Sequence, residues 1–156
     1  MQARYTDAPW WAVVTVRAVV NAVNVLQGIG FLSRLRTGAR TINYYIGFAI
    51  MLLAVPAVIA LVAFIREGAN RIHLIGPILF LAFIVLLLIV DCIRPVEFRS
   101  PMRPEILVPF LALFFGGILF MGLPTFRINR PLWLVTAATT AFHLAMMAVA
   151  MRMGAG

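Results

Sequence analysis

Five apolar runs, at residues 9–32, 41–65, 72–93, 105–123 and 131–151, take up most of the chain and dictate what it can become. Each is close to the roughly 20 residues an α-helix needs to cross about 30 Å of hydrocarbon. Backbone in lipid must satisfy its own hydrogen bonds, which leaves helices and closed barrels as spanning structures. The runs are continuous rather than alternating, so barrel strands are excluded. The expected fold class is all-α: a polytopic helical transmembrane bundle of five spans, forming a single transmembrane domain over residues 1–156. The first run contains Arg17, Asn21, Asn24 and Gln27, so four spans plus an interfacial N-terminal helix is the alternative.

The solvent this implies is written in the charge distribution. Charged residues make up 12% of the chain and hydrophobic ones 63%, where a soluble domain carries about 25% charged residues. The charges sit in the connections. Arg34, Arg36, Gly38 and Arg40 part the first two runs, and Arg66, Glu67, Gly68, Asn70 and Arg71 part the next two. Pro95, Pro101 and Pro104 keep the third connection from being helical throughout. The short connection 124–130 predicts that the last two helices are antiparallel neighbours, with Pro131 in the first turn of the last one. Pro56 predicts a kink in the second run.

The formal net charge is +8, and every basic residue is an arginine. A nucleic-acid interface needs a soluble basic face, which this chain lacks room for, so the arginines are read as contacts to anionic lipid headgroups. Cys92 is the only cysteine and can form neither an intrachain disulfide nor a cysteine metal site. The N-terminal run is too long for a signal-peptide core and is expected to remain as a membrane helix. With five spans, one side holds Arg4, Arg66, Arg71, Arg127 and Arg130. The other holds Arg34, Arg36, Arg40, Arg94, Arg99, Arg103 and Arg152. The excess places the C-terminus in the cytoplasm, in an inner (plasma) membrane. Trp10, Trp11, Tyr44, Tyr45 and Trp133 fall near the expected interfaces, where amphipathic rings settle.

Polar residues inside the spans are the candidate site. Arg17, Asn21, Asn24 and Gly28 share one face of the first helix, and Thr136, Thr139, Thr140 and His143 share one face of the last. Both helices start on the same side. Asn21 and His143 each lie roughly 18 Å in from their helix starts, so the two stripes are expected to meet in a polar layer. Such a layer serves either as interhelical glue or as a ligand or partner site. Arg17 lies roughly 12 Å in, and no carboxylate of the chain is expected at that depth. It either snorkels to headgroups or takes a counter-charge from a partner subunit, an anionic ligand or a lipid.

His73 and His143 are separated by about 16 Å of depth, too far to share a haem iron. His73 is read as interfacial and His143 as a hydrogen-bonded packing residue. Asp91, Arg94, Glu97 and Arg99, with Arg103 and Glu105, are read as a loop charge network rather than an acid–base pair. Ala57, Ala60, Ala63, Ala112, Gly116 and Gly117 offer small residues for close helix contact, within the chain or between chains. There is no phosphate loop, dinucleotide fingerprint or zincin helix, and no internal repeat of the inverted-transporter kind. No metal and no cofactor is expected.

The stretch Asp91-Cys-Ile-Arg-Pro-Val-Glu-Phe-Arg-Ser100, preceded by Leu86-Leu-Leu-Ile-Val90 and with Tyr44-Tyr-Ile-Gly47 upstream, resembles a group of small bacterial membrane proteins of uncharacterised function. The resemblance implies a small bacterial multi-span protein and no particular activity. The function expected is a non-catalytic membrane component: an accessory or scaffolding subunit, or a homo-oligomer, binding partner helices or lipids. A small transporter or channel for an anion or solute, lined by the polar layer, is the alternative.

Overall fold

A computed structural model describes residues 8–37, 41–93, 103–124 and 129–153. The described residues form α1 (Trp10–Thr37), α2 (Thr41–Leu52), α3 (Ala54–Arg66), α4 (Ile72–Leu88), α5 (Pro104–Gly122) and α6 (Arg130–Arg152). A π-turn, Ile89–Ile93, continues α4. Five helical stretches are long and apolar enough to cross a membrane, with α2 and α3 together making the second.

The ends of the helices follow from local chemistry. Pro56 has no N–H to offer the carbonyl of Leu52, and α2 stops at that residue. The expected kink is thus a one-residue break at Leu53. After α3 the chain turns at Gly68, whose φ of 65° suits a residue without Cβ. Gly68 N–H bonds Ile65 O and Ala69 N–H bonds Phe64 O, the paired closure of a Schellman end. Asn129 caps α6, its side chain accepting from Leu132 N–H at 3.0 Å, with Pro131 in the first turn.

Packing is centred on α1, which lies against α3 and α6 and touches α2 and α5. Its 28 residues extend about 42 Å, so the last turn, with Arg34 and Arg36, reaches beyond a hydrocarbon core. Half of its most apolar stretch is buried in the bundle, against 17% for α6. The N-terminal helix is therefore integrated among the others, contrary to an interfacial placement.

Helices α4 and α5 pair antiparallel at very short range. A Cβ on Gly76 would lie 2.4 Å from Met121 N, and one on Gly117 3.1 Å from Phe80 N. Further along, Phe83 meets Phe110 and Phe114 at 5.0 and 5.1 Å between ring centroids. Ala57 and Ala60 are fully buried, so these small residues of α3 serve packing within the chain, while Ala112 remains exposed. The short 124–130 connection does not make α5 the chief neighbour of α6. That role falls to α1, because α1 carries the polar face that α6's hydroxyls can satisfy.

Candidate functional site

Contacts between α1 and α6 ascend together: Asn21 with Thr139, Asn24 with Thr140, Gly28 with Phe142 and Phe31 with His143. The two helices run parallel, and the two polar stripes face each other. Asn24, fully buried, donates one amide proton to Thr140 Oγ1 at 2.8 Å and the other to Thr139 Oγ1 at 3.3 Å. The Thr139 hydroxyl lies 3.0 Å from both Asn21 Oδ1 and its own helix's Thr136 carbonyl, and its single proton serves one at a time. Thr140 donates to the Thr136 carbonyl at 2.8 Å, and Thr136 to Leu132 O at 3.3 Å. Asn24 Oδ1 is buried and has no protein partner.

The layer is closed on the side away from Arg17. Gly28 admits the Phe142 ring into the space a Cβ would fill. Beyond it His143, 2% exposed, departs from the expected hydrogen-bonded role. Its ring stacks on Phe31 and Phe115 at 6.0 and 6.3 Å and meets Phe114 edge-on at 5.7 Å. The Thr136, Thr139 and Thr140 hydroxyls bond elsewhere. Asn21 and His143 do not share a depth, because His143 packs ten residues further along α1, at Phe31.

Arg17 is turned into the bundle rather than outward toward headgroups. Its side chain is 1% exposed, and Nη2 donates to the carbonyl oxygen of Gly122, the last residue of α5. The final carbonyls of a helix have no intrahelical donor and carry about half a negative charge between them. Arg17 thus caps α5 from a different helix. Its Nε and Nη1 are buried with no protein acceptor.

Beside this corner a small cavity is lined by Val13, Val16, Phe64, His73, Phe120, Met121 and Pro124. His73, in the first turn of α4, is packed inward: it is 6% exposed, with its ring 5.5 Å from that of Phe64. Of the expected loop charge network, Asp91 is exposed in the π-turn, and Arg94, Glu97 and Arg99 lie outside the described residues.

The polar layer can be weighed by substitution. Asn24→Ala, Thr140→Ala and the double variant are expected to yield a coupling of about 0.6 kcal/mol, the average for interhelical polar pairs in bilayers. Reversible unfolding in mixed micelles measures it. A coupling near zero would mean that Asn24 and Thr140 do not bond.

Helices and site together define an all-α, multi-pass membrane protein with its intramembrane polar groups directed inward. No protein-family model, curated protein or solved structure matches the chain.

Proposed function

We propose that the protein is a non-catalytic component of a bacterial inner membrane, an accessory or scaffolding subunit that docks a transmembrane helix of a partner or of a second copy on α6. Its C-terminus, on the arginine-richer side, is cytoplasmic. One observation carries the docking reading. The buried residues of α6, Thr136, His143 and Ala150, lie on one face, and diametrically opposite runs an exposed stripe of Ala138, Ala141, Ala145 and Ala148. The exposed positions of α2 and α3, by contrast, are large, as in Phe48, Val55, Val58, Ile59, Val62 and Ile65. Small residues at three- and four-residue spacing let a second helix approach closely, which lipid tails do not require.

Native mass spectrometry of the chain extracted into lipid nanodiscs tests this reading. Expected is a complex, with a second protein chain or with itself. Ala141→Leu, which overpacks the stripe at a cost of about 1–3 kcal/mol, is expected to reduce the complex at least about tenfold. Val58→Leu, on a face already made of large side chains, is the neutral control. A chain that emerges only as a lipid-bound monomer defeats the proposal and leaves the transport reading, through Arg17, Asn21 and Asn24, to be tested by flux in liposomes.

A further inference from the structure

We propose that the occupant of α6's outer face is a transmembrane helix of a different protein, with small residues at mid-membrane and a carboxylate at each membrane boundary. This choice between a second copy and another chain rests on the docking face proposed above. Among the spans α1 is the least apolar and also the most enclosed, as hydrocarbon demands of a polar helix. Helix α6 breaks that relation. It too is less apolar than the α2–α3 and α4 spans, yet only 17% of its most apolar stretch is covered by the chain. Its threonines and His143 are hidden toward α1, and its alanine face is left open.

Charge then selects the occupant. Exposed Arg130 and exposed Arg152 stand about three helical turns before and after Ala141, so an arginine ends the alanine line at each boundary. About 33 Å of helix separates the two, close to the thickness of a hydrocarbon core. Helix α6 contains no Asp or Glu. Two copies meeting through this line would set arginine beside arginine at both boundaries, whether the helices ran parallel or antiparallel. Like charges facing each other across an interface exclude a partner. Nor does α6 need both cations for itself. A helix favours a cation at its C-terminal end, where Arg152 lies, and disfavours one at its N-terminal end, which Arg130 opens. A helix with a carboxylate at each boundary pairs with both arginines, and small residues between them let it approach as closely as the alanines allow.

The test uses two synthetic transmembrane peptides with the same mid-span line of alanines, carrying glutamate at both boundary positions in one and glutamine in the other. Fluorescence energy transfer to the full chain in phosphatidylcholine bilayers reads their binding. The glutamate peptide is expected to bind at least about fivefold more tightly, the effect of two exposed ion pairs. Arg130→Gln combined with Arg152→Gln, at two exposed positions, is expected to remove that preference. Ala141→Leu is expected to weaken both peptides. Equal binding of the two peptides, binding of neither, or a preference that survives the double variant overturns the proposal. The docking reading then stands or falls separately, by the native complex and its response to Ala141→Leu. A wild-type homodimer that Ala141→Leu breaks overturns the choice of a different protein while upholding the docking face. A glutamate preference that disappears in phosphatidylglycerol bilayers assigns the arginines to lipid headgroups and overturns the proposal as well.

Discussion

Gly76→Ala is expected to force α4 away from α5 and to cost about 3 kcal/mol of stability, at the upper end for overpacking. The added Cβ would lie 2.4 Å from the backbone nitrogen of Met121 and 2.8 Å from the carbonyl carbon of Phe120. Neither atom can rotate out of the way, since both belong to the helical backbone of α5. Relief requires one helix to shift, and the shift spreads to Gly117 against Phe80 and to Phe83 between Phe110 and Phe114. In a bilayer this loss is not recovered by hydrophobic burial, because lipid tails solvate a separated helix as well as another helix does. Two controls set the scale. Gly28→Ala meets the outer edge of the Phe142 ring at 2.2 Å, but a ring edge can swing aside, so a cost of about 1 kcal/mol is expected. Gly47→Ala meets nothing within 4 Å and should change stability by no more than about 0.5 kcal/mol. Unfolding in mixed micelles ranks the three, and a Gly76→Ala as mild as Gly47→Ala would rule out the close α4–α5 approach.

Arg17→Glu is expected to be the most damaging change at the site, at least about 3 kcal/mol, whereas Arg17→Met should stay within about 2 kcal/mol of the wild type. The glutamate would place a carboxylate against the negative end of α5 and the Gly122 carbonyl, in a position 1% exposed. Like signs at short range in a weakly screening interior repel, and neither group has a donor for the other. The methionine removes a costly buried charge and leaves one carbonyl without its donor, two effects of opposite sign and similar size. The comparison separates two roles for Arg17. If Arg17→Met folds as well as wild type, the arginine is not there for stability, and the residue's value lies in its charge. If Arg17→Met is as harmful as Arg17→Glu, capping of α5 is the essential contribution. Thermal unfolding followed by circular dichroism, in nanodiscs of neutral lipid, distinguishes them.

Much of the architecture could be read from residue types alone. The apolar runs anticipate the helices to within a few residues at most ends, and the breaks at Gly68 and Pro56 follow from what glycine and proline do to a backbone. The parallel approach of α1 and α6 follows from two polar stripes of helical period that had to be hidden from lipid. The register along that seam was not accessible in the same way. Counting rise per residue places Asn21 beside His143, yet Phe31 is the residue stacked on the histidine, because the count fixes depth along each helix and not how the two helices are set against each other. The burial of His73 was hidden for a related reason: that Phe64 lies across the turn and covers its ring is a matter of tertiary packing.

What the sequence determined by itself is the solvent and its consequences: a helical bundle in lipid, five crossings, and inward-facing polar groups. Those follow residue by residue, since each side chain meets hydrocarbon or avoids it according to its own chemistry and its period along one helix. What only the tertiary structure decided is the fate of groups whose partners are distant or have no side-chain signature. The acceptor for Arg17 is a backbone carbonyl 105 residues away, identical in type to every other carbonyl in the chain and distinguished only by ending a helix that packs beside α1. The outward alanine stripe is likewise a matter of packing, because only the seating of α6 on α1 settles which of its faces is left exposed.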